Sequence, residues 1–133
     1  MYASAPINEY FAPRLQIVDA GVAELRLTIR PDFHHAAHAA HGAVYFKALD
    51  DATFFAANSL VEDVFVLTVS FNLYLVRPIS EGEVVATGRV VSRSKRLTIA
   101  EGMLVDDRGR EIARGSGAFM PSTRPLAADI GYR

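Results

Sequence analysis

The sequence predicts an α+β fold in which an antiparallel sheet wraps around one long central helix. Residues 42–59 hold no proline and no internal glycine, and Ala, Phe, Leu and Tyr cover nearly every direction of a helical wheel. A helix that is apolar all round is a buried one. Most of the remaining chain alternates apolar and polar residues at strand period. The four histidines, His34, His35, His38 and His41, fall in one eight-residue stretch at the mouth of that helix, which also carries the adjacent acids Asp50 and Asp51. Titratable groups gathered at the entrance of the most hydrophobic segment mark the place where chemistry is expected.

The bulk numbers narrow the choices. A chain of 133 residues suits a single domain over 1–133, and with half of its residues apolar it can bury a core. The formal net charge of −1 gives no sign of a nucleic-acid or anionic-membrane partner. Without cysteine, a disulfide framework, a thiolate zinc site and a cysteine nucleophile are excluded. The start of the chain lacks a basic and apolar leader pattern, and no apolar run approaches the ~20 residues of a membrane span. The expectation is a soluble, cytoplasmic protein.

Each element has its own signal. Residues 7–13 read as a short helix stopped near Pro13. Residues 15–30 read as strand, bent or divided at Ala20-Gly21 and ended by Pro31; residues 31–40 form an Ala- and His-rich loop. The central helix would be about 27 Å long at ~1.5 Å per residue. In residues 64–77 the alternation puts Phe65, Leu67, Val69, Phe71, Leu73 and Leu75 on one face and Thr68, Ser70, Asn72 and Tyr74 on the other. Apolar Val66, Tyr74 and Val76 on the second face suggest that it too is covered by a partner chain. Residues 83–93 and 96–106 form two strands about Ser94-Lys95, Asp106 to Gly109 is a hairpin signal, and residues 110–120 close the sheet, with Gly115 and Gly117 marking a bulge or a close approach. The four strands after the helix are expected as a meander, and residues 121–133 as a mobile polar tail.

This order, together with His41-Gly42 at the helix start and Asp50 eight residues beyond the glycine, resembles the hot-dog-fold acyl-CoA thioesterases, and within them the phenylacetate-pathway (PaaI-like) branch. The family pattern has an asparagine six residues before a His-Gly-Gly and an acid eight residues after the first glycine. SFNLYLVRP (70–78) is similar to the family's strand ending in Arg-Pro, and GREIARGSGAFM (109–120) to its closing strand. The likeness spans about residues 15–120. Two positions depart from the pattern: Ala43 replaces the second glycine, and His35 stands in place of the asparagine.

The resemblance implies acyl-CoA as substrate, hydrolysis to a free acid and CoA, no cofactor, and a homodimer that pairs again as a dimer of dimers. The residue chemistry is compatible with it. Backbone N–H groups at Gly42 and Ala43 lack intrahelical partners and lie at the positive end of the helix dipole, where an oxyanion develops favourably. Asp50 can activate water or attack the carbonyl itself; both routes stay open. Gly42 and Asp50 are about 12 Å apart along a helix, so one carbonyl meets both only if they come from two subunits. Thr68 matches a family serine or threonine that orients the water, and His35 can donate a hydrogen bond. His41 reads equally as a catalytic group or a helix cap. Asp51 reads as structural, within reach of Lys47 four residues earlier for a weak surface contact. Ser92 to Arg96 groups three cations at a strand turn, and the resemblance assigns Arg93, Ser94, Lys95 and Arg96 to the CoA phosphates, with Lys95 the best match; a solvated basic turn is the alternative. The histidine spacing fits no metal motif, and no metal site is expected. An acyl-thioester hydratase or dehydratase on the same scaffold and a non-catalytic acyl-CoA binding module are the rival functions.

Overall fold

A computed structural model of the chain describes residues 5–61 and 64–125. Its elements run α1 (Pro6–Phe11), β1 (Arg14–Asp19), β2 (Val22–Ile29), a 3-10 turn (Pro31–Phe33), α2 (Gly42–Asn58), β3 (Val64–Leu75), β4 (Gly82–Arg93), β5 (Thr98–Val105) and β6 (Glu111–Pro125). One six-stranded antiparallel sheet wraps α2, the hot-dog fold expected from the sequence.

The sheet makes room for the helix with a row of small residues. Gly115, Gly102, Gly88 and Ala23 lie opposite one another across four strands. A Cβ on Gly88 would stand 2.3 Å from the Ala52 carbonyl oxygen of α2, so only glycine lets the helix lie this close. Gly115 is a close approach of the same kind, where a Cβ would meet the Asn72 oxygen at 2.6 Å. Ala48, Leu49, Ala52, Thr53, Ala56 and Ala57 of α2 are buried against this surface, with Leu25, Leu27, Leu104, Ile112 and Phe119 from the strands. Ala43, Phe46 and Asp50 lie on the side of α2 that the sheet leaves open or half-open.

Three expectations are corrected. The last four strands do not form a meander: the order is β1-β2-β4-β5-β6-β3, with β3 beside β6 at one edge. Alternation tells which face of a strand is buried but not which strand is its neighbour. Second, β3 does not keep one alternation. Its register against β6 shifts between Thr68 and Ser70, so Val69 is a bulge. Before it, Val66 is buried (2% exposed) and Leu67 half-exposed; after it, Phe71 and Leu73 pack on the core. A bulge adds one residue and reverses the faces beyond it. Val66, expected on the outer face, is therefore core, whereas Tyr74 and Val76 are exposed. Third, residues 121–125 are not tail but the end of β6, pairing Pro121 with Val66 and Pro125 with Val64. The rest of the expected tail, 126–133, and the side chain expected at Phe65 lie outside the described residues.

Another expectation holds. The 15–30 stretch divides at Gly21, whose φ of +76° only glycine adopts without strain. Among the described residues no helix is long and apolar enough to cross a membrane.

Candidate active site

His41 caps the start of α2. Its backbone is extended (φ −63°, ψ 148°), and its Nδ1 accepts the Ala43 N–H at 3.0 Å. The ring therefore supplies the acceptor that an N-cap side chain usually brings as Ser, Thr, Asp or Asn. The His41 carbonyl accepts the Val44 N–H at 2.9 Å. Of the two amides expected to face an oxyanion, that of Ala43 is bonded to the cap. The Gly42 N–H donates to no group among the described residues. A side chain at Gly42 would meet only Leu75 Cδ1, at 3.5 Å, so the glycine is not required by packing.

The Gly42 end of the helix borders a cleft of about 300 Å3, lined by His35, Ala40, Gly42, Tyr45, Leu75 and Arg77 among others. His35 Nδ1 accepts the Ala37 N–H at 3.0 Å, which leaves Nε2 as the ring donor. The histidine-rich segment is a pinned turn rather than a loose loop. His34 pairs with Ala40 as a β-bridge, His34 Nε2 donates to the Ser80 carbonyl at 2.7 Å, and Ser80 Oγ donates to the His38 carbonyl at 2.9 Å. His38 closes the turn with φ +64°. Among the described residues no three His, Asp or Glu side chains are grouped to hold a metal ion.

Tyr45 is a contributor to this cleft that the sequence did not distinguish from core. It is buried (4% exposed), accepts the Ile79 N–H at 3.1 Å and donates to the Arg77 carbonyl at 3.3 Å. Burial raises the phenol's pKa, offset in part by the Ile79 N–H. The hydroxyl ties the Arg77–Ile79 segment to the first turn of α2. Its only sequence signal is an aromatic residue with a polar tip on an otherwise apolar helix.

Asp50 lies eight residues along the same helix, half-buried, with Oδ1 accepting a hydrogen bond from Thr68 Oγ1 at 3.0 Å. The bulge at Val69 keeps Thr68 on the helix side, together with Phe71 and Leu73 beyond it. Burial raises the Asp50 pKa above its ordinary value; the Thr68 hydroxyl opposes this, the Asp51 charge adds to it and Lys47 opposes it. Asp51 turns the other way and pairs with Lys47, Oδ2 to Nζ 2.6 Å, as the spacing predicted.

The basic turn between β4 and β5 is closed by Ser94, whose N–H donates to the Leu97 carbonyl at 2.8 Å and whose Oγ accepts the Leu97 N–H at 3.2 Å. Arg93 reaches back to the Leu60 carbonyl at 2.8 Å and so fastens the turn to the end of α2. Arg93, Ser94 and Lys95 border a cavity of about 720 Å3 over an apolar floor of Val61, Val66 and Phe119; Arg96 does not line it. Phe119 is also the β6 residue opposite Thr68, so this cavity opens beside the residue that holds Asp50.

The chain matches the family model described as thioesterase superfamily over residues 37–113, which take in the second half of the histidine turn, α2, β3, β4, β5 and the start of β6. No curated protein sequence matches it. Among solved structures it is similar to the PaaI protein of the phenylacetic acid degradation operon of E. coli: TM-score 0.87 and 18% identity, covering 96% of this chain and 91% of that one. A phenylacetic acid degradation-related protein from Ralstonia eutropha JMP134 gives 0.81 and 24%, covering 89% and 92%. A mutant thioesterase from Pseudomonas aeruginosa gives 0.84 and 15%, covering 94% and 90%. At these identities the structural likenesses establish the fold, and the family match establishes the family. The chain belongs to the thioesterase superfamily, and it is a thioester hydrolase of the hot-dog fold.

Proposed function

We propose that the chain hydrolyses acyl-CoA as a twofold dimer in which Gly42 of one protomer and Asp50 of the other serve a single thioester. The observation that carries this reading is the pairing on one helix of an unused N–H at Gly42 with a half-buried carboxylate eight residues away. At ~1.5 Å per residue the two are about 12 Å apart along the axis, too far for one carbonyl. A twofold axis that runs two copies of α2 antiparallel brings Asp50 toward the partner's Gly42 and makes two equal sites.

The surface supports such an axis. β3 is an edge strand, and Leu67, Val69 and Leu75 on it, with Phe46 on α2, are apolar and at least 41% exposed. An uncovered apolar edge strand is a pairing surface.

In this site the thioester carbonyl accepts the Gly42 N–H at the positive end of α2, with the His35 Nε2–H lining the same cleft as a second donor. The Asp50 carboxylate takes a proton from water as it adds to the carbonyl, or adds to the carbonyl itself to give an anhydride that water then opens. In both routes the CoA thiolate departs and is protonated, and a free acid remains. Thr68 holds Asp50 and orients the water. Lys95, with Ser94 and Arg93, faces the CoA phosphates, and a dimer of dimers is the assembly that the likeness implies.

The test is a panel of acyl-CoA thioesters followed by thiol release with a thiol-reactive dye. Thiol release by the wild type and its loss in Asp50→Asn support the reading. Undiminished release by Asp50→Asn, or hydration of an enoyl-CoA without thiol release, contradicts it.

A further inference from the structure

We propose that Lys47 and Asp51 act as a positioning pair for Asp50: Asp51 holds the Lys47 ammonium away from the Asp50 carboxylate and thereby leaves that carboxylate free for the substrate. The inference rests on the role given to Asp50 above. It concerns two residues that neither the family pattern nor the Gly42 cleft involves.

The helix sets up a competition. Lys47 has two acids on its own surface, Asp50 three residues on and Asp51 four residues on, and both spacings permit an ion pair. The structure gives the lysine to Asp51, with Nζ 2.6 Å from Oδ2, and gives Asp50 to Thr68 at 3.0 Å. An ammonium bound to Asp50 would take up the lone pairs that a base or nucleophile needs.

This pair is unlike an ordinary surface i,i+4 contact, which solvent screens almost to nothing. Its side chains are only 15% and 13% exposed. α1 covers it: the Phe11 ring lies 5.7 Å from Lys47 Nζ, and Phe11 itself packs on the core. Charges held out of water act on a neighbour far more strongly than exposed ones.

Beyond burial and the Thr68 hydroxyl, the charges that bear on Asp50 come from these two residues. β3 presents Thr68 to it, and Val64–Leu75 contains no charged residue. Phe119 of β6, opposite Thr68, is apolar. Lys47 and Asp51 are the only charged groups among the described residues that act on the Asp50 carboxyl, with opposite signs. They pull on it in opposite directions, and removing one leaves Asp50 to the other.

The variants Lys47→Gln, Asp51→Asn, the double variant and Lys47→Arg separate this role from simple support of the helix. Each is assayed for kcat and KM across pH, and the Asp50 carboxyl is titrated by 13C NMR, which requires no turnover. Lys47→Gln leaves the Asp51 charge alone, so the acidic limb of kcat/KM and the Asp50 titration move to higher pH. Asp51→Asn releases Lys47 onto Asp50, so the titration moves to lower pH while the kcat plateau falls several-fold. The double variant restores both toward wild type, and Lys47→Arg keeps both. Shifts of the same sign in the two single variants, an unmoved titration, or a double variant no better than Asp51→Asn would overturn the proposal. Full activity in Asp50→Asn would instead remove the catalytic role of Asp50, and the carboxyl titration would still decide whether the pair governs it.

Discussion

Thr68 Oγ1 donates to Asp50 Oδ1 at 3.0 Å, joining the edge strand to the central helix at the half-buried acid. Thr68 is held there by its pairing with Phe119 and by the bulge that follows at Val69. The bond favours the charged form of Asp50 against the burial that disfavours it. Thr68→Ala is therefore expected to move the acidic limb of kcat/KM to higher pH and to lower kcat about tenfold, with Thr68→Ser close to wild type. A pH-rate series on the three proteins checks this; an unshifted limb in Thr68→Ala contradicts it.

Asp50 also carries a stability signature. Its folded-state pKa is raised above the ordinary 3.8, so the charged form costs the folded protein stability. That cost is fully present above the folded pKa, fades as pH falls through it, and is absent below the unfolded value. Asp50→Asn should therefore melt at or above the wild-type temperature at pH 7, by roughly a few degrees, with the difference vanishing in acid. Thermal melts of both proteins at several pH values give the answer. Paired with a roughly thousandfold loss of kcat, the result would mark a residue kept for chemistry rather than for folding.

Gly42 permits deletion of a single N–H. It is the first residue of α2, where proline is favoured, and the extended His41 before it is compatible with proline. Gly42→Pro should keep the fold and lower kcat roughly a hundredfold or more, as loss of an oxyanion donor does. Gly42→Ala keeps the N–H and meets only ordinary contact with Leu75, so it should stay within a few-fold of wild type.

The basic turn separates into two roles. Lys95→Ala should raise KM for CoA thioesters several-fold with kcat little changed, and the effect should shrink with added salt. Arg93→Ala should raise KM as well, and by removing the bond to the Leu60 carbonyl it should in addition cost about 1 kcal/mol of stability, which Lys95→Ala does not. Steady-state kinetics at two ionic strengths and denaturant unfolding distinguish them.

What could be read in the sequence was what local chemistry encodes. The all-apolar stretch gave α2 to within a residue of its end at Asn58, and the spacing of Lys47 and Asp51 gave their ion pair. Gly21 gave the break between β1 and β2. The place of β3 beside β6 was not legible, because strand neighbours depend on contacts distant in sequence. Nor was the bulge at Val69, since an extra residue in a strand without Gly or Pro leaves no compositional mark. That bulge decides which β3 residues reach the helix side, so the orientation of Thr68 was the part of the site most hidden. The use of the Ala43 amide by His41, and the clamp made by Tyr45, depend on ring orientation and were equally out of reach.

The claim that one thioester is served by two protomers is tested most directly with mixed dimers. Gly42→Pro and Asp50→Asn are each expected to keep about a hundredth of wild-type activity or less when alone. In a dimer containing one of each, one site carries both lesions and the other carries none. Unfolding the two variants together and refolding them should restore about a quarter of wild-type activity, since about half of the dimers are mixed and each has one intact site. Activity no higher than that of the separate variants, with mixed dimers present, would place both groups in one protomer and contradict the account.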